Sequence, residues 1–150
     1  MRDDSGVNGP GHPRGGPPGT VRVTVRGLTL RCWSCGRPTT VVVGLHPAAA
    51  TTADRLVACD DESTLGTAAR LLHAAGRYDV AAPVKVRSSR AAGGDHLSNG
   101  CQHCDTLQSG HFVFADALPD VLSVAGLDGL DHLVDVDLPA AEWRRLRGDA

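Results

Sequence analysis

Isoleucine is missing altogether from this chain, and the aromatic residues come to Trp33, Tyr78, Phe112, Phe114 and Trp143. Any core must therefore be built from Val, Leu and Ala, which gain less per buried residue than large side chains do. Lys85 is the only lysine among fifteen basic residues. Scarce Ile, Lys, Asn and Phe beside abundant Ala, Gly and Arg is what a GC-rich genome produces, so the arginine excess alone carries no chemical message. An excess of charge of one sign is lacking too. The net charge of −2 and a pI near 6.3 give no electrostatic case for duplex binding, which needs clustered Lys and Arg. No apolar run approaches the roughly 18 residues of a membrane span. The first residues contain no apolar stretch, which argues against a secretory signal and for the cytoplasm. Thiols stay reduced there, so five cysteines point to metal or redox chemistry rather than disulfides. A Walker loop, H-E-x-x-H and G-x-S-x-G are absent as well.

At 150 residues the chain is one domain's worth. Residues 1–19 hold six Gly and four Pro with almost nothing apolar, which predicts a disordered tail ahead of a single domain over 20–150. Val21, Val23 and Val25 alternate with Arg22, Thr24 and Arg26, the period of a half-buried strand. Beyond Gly27 the apolar positions change parity to Leu28 and Leu30, which a bulge or bend at Gly27 would produce. The chain then passes Cys32-Trp33-Ser34-Cys35-Gly36 and returns through the β-branched run Thr39 to Val43. Further on, Arg55 to Ala58 reads as a short strand. A helix from Asp61 carries Leu65, Ala68, Ala69 and Leu72 on one face, capped by Asp60 or Asp61 and ended by Gly76. Val84, Val86 and Ser88 form the inward side of another strand, with a turn over Ala91 to Asp95. Phe112 to Phe114 read as a strand, Pro119 as the first turn of a helix, and Leu133 to Val136 as a strand. A last helix after Pro139 carries Trp143 and Leu146. The fold class is α+β: a small mixed or antiparallel sheet, two or three short helices on one side, and zinc-ribbon-like knuckles.

The chemistry-bearing pattern is C-x2-C-x65-C-x2-C, formed by Cys32, Cys35, Cys101 and Cys104. Each pair can bring two sulfurs to one ion, and two pairs complete the tetrahedron that zinc prefers, leaving no position for a reactive water. Iron in a rubredoxin-like site uses the same ligands, and spacing does not separate the two metals. A thioredoxin-type pair needs its C-x-x-C at a helix N-terminus. Arg37-Pro38 and the valines after Cys35 oppose that helix. Two structural pairs that never meet is the remaining reading.

The run Cys-Trp-Ser-Cys-Gly-Arg-Pro-Thr-Thr followed by valines resembles the opening of certain uncharacterised bacterial zinc-ribbon proteins. Asn99-Gly100-Cys101-Gln102-His103-Cys104-Asp105, with Gln108 a few residues on, resembles their second knuckle. The resemblance spans about 35 residues in two blocks. It implies that the four cysteines share a metal, and it implies no activity. Asp105 stands where a Gly is common, which would distort the turn without touching the ligands.

His103 and His111 are expected beside the ligands rather than among them. Cys59 is expected to be a small buried hydrophobe. Asp60, Asp61 and Glu62 fit a helix cap and its dipole, or, with His96 or His111, the lining of an enzymatic cleft. The reading that follows is a zinc-binding, non-enzymatic module for a protein partner. The alternative is a nucleic-acid-binding ribbon using Arg22, Arg26, Arg31, Arg37 and the terminal Arg144, Arg145 and Arg147.

Overall fold

The computed structural model describes residues 19–89 and 93–148. The predicted tail thus lies outside the described residues save for Gly19, as do Ala91 and Ala92 of the predicted turn. In chain order the elements are β1 (Thr20–Arg31), β2 (Pro38–Pro47), β3 (Val57–Ala58), α1 (Glu62–Ala74), α2 (Tyr78–Ala81), β4 (Lys85–Ser89), β5 (Gly94–Ser98), α3 (Leu118–Ala125), β6 (Asp131–Pro139) and α4 (Ala140–Leu146). The fold is α+β as expected. An antiparallel four-stranded sheet runs in the order β3-β2-β1-β6, and β4 pairs with β5 in a separate hairpin. Among the described residues no helix is long and apolar enough to cross a membrane.

The sheet carries helices on both faces, not on one, and the α-helices number four. Val41, Val42 and Val43 are all fully buried. Successive strand residues point to opposite faces, so burial of all three requires cover on each side. Val42 joins Val23, Val25, Leu45, Leu133 and Leu138 under α1 and the α4 residue Trp143. Val41 and Val43 join Leu28, Leu118, Leu127 and Leu130 in a second core under α3. The parity change in β1 is therefore a move from the first core to the second. The ladder is irregular at the expected place, but β1 does not carry the extra residue. Arg26 pairs with Gly44 and Gly27 with Val42, which leaves Val43 unpaired; on the other side Leu133 is the residue passed over.

The helix after Asp61 forms because Leu65, Ala68 and Leu72 return to one face, and Leu71 joins them in the core. The Asp61 carboxylate caps it, accepting the Thr64 N–H at 2.7 Å. Three expectations fail here. Phe112 to Phe114 is helical, not a strand: a π-helical stretch Phe112–Ala117 leads directly into α3. Pro119 has no N–H for the Ala115 carbonyl one turn back, and widening the helix just before it absorbs the missing bond. Strand β3 is only Val57–Ala58, because Ala53–Arg55 winds into a 3-10 turn. In β4 the faces are reversed, with Val86 62% exposed and Arg87 turned inward, for a reason that lies in the second knuckle.

Candidate metal centre

Each cysteine pair sits on a turn whose hydrogen bonds follow from its spacing. In the first, the Cys32 N–H donates to the Arg37 carbonyl at 2.9 Å and the Gly36 N–H to the Cys32 carbonyl at 2.9 Å. The Ser34 N–H points at Cys32 Sγ, 3.4 Å away. The second repeats this rung for rung. Cys101 N–H donates to Thr106 at 2.9 Å, Asp105 N–H to Cys101 at 3.0 Å, and His103 N–H to Cys101 Sγ at 3.3 Å. The fifth residue of each turn must be left-handed: Gly36 has φ +76° and Asp105 φ +66°.

Asp105 is the only described non-glycine residue with positive φ, and the turn around it is not distorted. Its carboxylate is held by Lys85 at 2.8 Å and Arg87 at 2.6 Å. These two cations keep it well below the usual carboxylate range. Arg87 also donates to the Ser98 carbonyl at 3.0 Å and lies flat over Gly100. A Cβ on Gly100 would meet the guanidinium at 2.1 Å, so the residue before Cys101 must be glycine for this clamp to form. The clamp turns Arg87 inward and thereby reverses the faces of β4.

The two turns face one another. Cys32 Sγ lies 3.7 Å from Cys104 Sγ, Cys35 Sγ lies 3.7 Å from Cys101 Sγ, and all four sulfurs fall within 4.8 Å of each other. A tetrahedron with metal–sulfur bonds of about 2.3 Å has edges of about 3.8 Å, so the cage fits a thiolate-bound metal ion. The backbone N–H of Cys35 chiefly draws the Cys32 thiol down to about 6, helped by Ser34 N–H and by the Gln108 amide, which donates at 3.4 Å. Cys35 is pushed up to about 11: the Arg37 N–H lowers it, but burial and the neighbouring thiols outweigh that donor. Crowded thiolates resist full ionisation until a cation compensates them.

The cage is tied to β2 by side-chain amides. Asn99 Oδ1 accepts the Val42 N–H at 2.9 Å and its Nδ2 donates to the Val42 carbonyl at 3.0 Å. Gln102 Oε1 accepts the Thr40 N–H at 2.9 Å, while its own N–H donates to Thr39 Oγ at 2.9 Å. His103 Nε2–H donates to the Pro38 carbonyl at 2.9 Å and so braces one turn against the other. His111 instead lines a cavity of about 530 Å³ beside the cage. Spacing exposed none of Asn99, Gln102, Gln108 and Arg87 as site residues; the resemblance ran through the first three without giving them a role, and nothing in the sequence marked Arg87.

That cavity gathers Asp60, Asp61, Glu62, His96 and His111, and Cys59 is in its wall. Two of the carboxylates have structural work: Asp61 caps α1, and Glu62 accepts the Leu97 N–H at 3.2 Å. Cys59 is buried outside the cage, and burial pushes its thiol far up, which leaves it inert. Arg22 pairs with Asp137, Arg26 donates to His46 and the Leu130 carbonyl, and Arg31 donates to the Gly36 carbonyl. Beside the cage two large apolar side chains are exposed: Trp33, whose indole N–H donates to the Leu107 carbonyl at 2.9 Å, and Phe112. Comparison with protein-family models, curated proteins and solved structures finds no match to this chain.

Proposed function

We propose that Cys32, Cys35, Cys101 and Cys104 bind one structural zinc ion, and that residues 20–150 form a single zinc-held, non-enzymatic module that presents its surface to a protein partner in the cytoplasm. The observation that carries the metal assignment is the mutual facing of two matching turns with sulfur spacings of one tetrahedron edge. Four thiolates close the coordination shell, so the ion holds the fold and does no chemistry at an open position. For the partner, the exposed aromatics Trp33 and Phe112 beside the cage support a protein. Arg22, Arg26 and Arg31, whose guanidinium groups donate to neighbouring residues, weigh against nucleic acid.

Exchange of the native ion for cobalt tests the assignment. The expected product holds one metal per chain and shows a tetrahedral tetrathiolate spectrum that azide and cyanide leave unchanged. A spectrum shifted by either anion would reveal an open position and overturn the structural reading. Visible thiolate-to-iron absorption in the native protein would replace zinc by iron.

A further inference from the structure

The sheet leaves one stretch of strand edge bare. Because the Cys32 N–H bonds the Arg37 carbonyl, Cys32 and Arg37 are a hydrogen-bonded pair, and antiparallel alternation makes Leu30–Thr39 and Leu28–Val41 the next such pairs. The N–H and C=O groups of Thr29 and Arg31 therefore point away from β2. The same alternation explains why Thr40 and Val42, on the opposite strand, turn outward to Gln102 and Asn99. On the far side of β1, pairing with β6 stops at Gly27–Asp131. Among the described residues no strand meets Thr29 or Arg31 on that side, and the Asp131 carboxylate reaches only the Thr29 hydroxyl, at 2.5 Å, leaving the backbone groups free of it. Beside this edge lies a groove of about 750 Å³ walled by Leu28, Leu30, Phe112, Ala115, Pro119 and Val121. Asp116 and Asp120 also line it, one helical turn apart, with no ion-pair partner among the described residues and no Lys or Arg in the groove.

We infer that this edge takes a partner polypeptide as an added strand. Resting on the reading of the domain as a protein-interaction module, the inference names the partner's chemistry. Outward amide and carbonyl groups repeating every two residues, about 7 Å apart, match an extended backbone and nothing smaller. Alternate side chains of that strand enter the groove over Leu30, Phe112 and Pro119, so they are apolar. A Lys or Arg in the segment meets Asp116 and Asp120. Proline is excluded wherever the partner must donate to the Thr29 or Arg31 carbonyl.

A displayed library of random ten-residue peptides, panned on the full metal-loaded chain, is the probe. Enriched sequences are expected to alternate apolar residues with Lys or Arg and to lack Pro in the segment. The best peptide, made synthetically, should slow amide exchange at Thr29 and Arg31 at least tenfold and leave Leu28 and Leu30 unchanged. Thr29→Pro removes an outward N–H and, with the hydroxyl, side-chain bonds to Thr40 and Asp131, but no backbone rung to β2, and should weaken binding at least tenfold. Asp116→Lys with Asp120→Lys should do the same, both proteins keeping one metal per chain. No enrichment, or a peptide indifferent to both variants, overturns the inference. So does protection of Thr29 and Arg31 already present in the free chain, whether it grows with concentration, which assigns the edge to a second copy, or vanishes on deleting residues 1–18. An intact cobalt spectrum with no edge binding defeats this inference alone, whereas loss of that spectrum defeats the metal reading.

Discussion

Asn99 offers the cleanest perturbation of how the second knuckle is joined to the sheet. The side chain is 7% exposed and makes two hydrogen bonds, at 2.9 and 3.0 Å, to the N–H and C=O of Val42, a fully buried residue 57 positions earlier. Asn99→Ala removes both partners at once. Each orphaned buried group costs about 1–3 kcal/mol, so the variant should lose about 2–6 kcal/mol from a domain that holds about 5–15. Asn99→Asp separates the two bonds. At neutral pH the new carboxylate accepts the Val42 N–H but faces the Val42 carbonyl with a lone pair. Once protonated, it donates to that carbonyl and restores both bonds. Its folded pKa must therefore stand above the ordinary carboxylate value of about 3.9. Between those two values the native state binds more protons than the unfolded state, so stability rises as pH falls. The unmodified protein slopes the other way, because Asp105 and Asp79 have lowered pKa values in the fold and lose their stabilisation as pH falls through them. Urea unfolding of the metal-loaded proteins at several pH values, with metal content checked at each, measures both magnitude and slope. An Ala variant within about 0.5 kcal/mol of the parent, or an Asp variant whose slope follows the parent's, would refute the reasoning.

His46 is buried and neutral, accepting from Arg26 Nε at 3.0 Å through Nε2, and burial holds its pKa below 6.5. The unfolded chain takes up that proton first, so stability falls as pH drops below about 6.5, and His46→Gln should flatten this part of the unfolding curve. Cys59→Ser should keep one metal per chain and cost about 1–2 kcal/mol for placing a hydroxyl where a thiol packs in the core; metal analysis showing none bound would make Cys59 a ligand. Cys32→Ser and Cys104→Ser face each other across the cage, so the double variant should be scarcely less stable than either single one in chemical unfolding. Additive losses would mean that the two pairs serve separate purposes.

What could be read in advance was whatever local spacing encodes. The alternation in β1, the valine run of β2, the leucine face of α1 with its aspartate cap, and the pairing of cysteines three positions apart all depend on residues within a few positions of each other. Phe112 to Phe114 misled because an apolar triplet has no period of its own. Its helical state is decided by Val113 packing with Leu118 and Leu127 against Leu28 and Val43, contacts that no window of neighbours contains. The second layer of helices was hidden for the same reason: Val41 to Val43 read as a strongly β-forming run, and only its burial on both sides reveals two cores. Arg87 shows the limit at the level of one side chain. In β4 the alternation put Val86 inward, but the guanidinium gains Asp105 and the Ser98 carbonyl over Gly100 by taking that side itself. The polar groups that brace the cage, Asn99 and Gln102 above all, act across some sixty residues, so spacing gives them no role even though both stand in the run that resembles a second knuckle.

The two knuckles, alike in local hydrogen bonding, are anchored by different means, and the difference bears on what the sheet leaves free. The first knuckle is the far end of the ladder between β1 and β2, which runs unbroken from Gly27–Val42 to Arg31–Pro38. The second rests on a single bridge, Gly100 with Leu107, and reaches the body of the domain through side chains. Those side chains fall on the outer edge of β2: Gln102 takes Thr40, Asn99 takes Val42, Cys59 N–H takes the Val43 carbonyl, and β3 takes Gly44 and Leu45. The outward rungs of β2 from Thr40 to Leu45 are thus satisfied, mostly without a neighbouring strand, as buried backbone requires. The 65-residue segment between the cysteine pairs therefore does two things at once. It closes a long loop, whose entropy cost grows only logarithmically with length, and it seals one edge of the sheet. At Thr29 and Arg31 on the opposite edge no side chain among the described residues bonds the backbone, although the two residues stand three and one positions from Cys32; Asp131 reaches only the Thr29 hydroxyl. With the proposed metal bound, the first turn would hold that short edge extended in advance, which lowers the ordering cost of the strand proposed to add there.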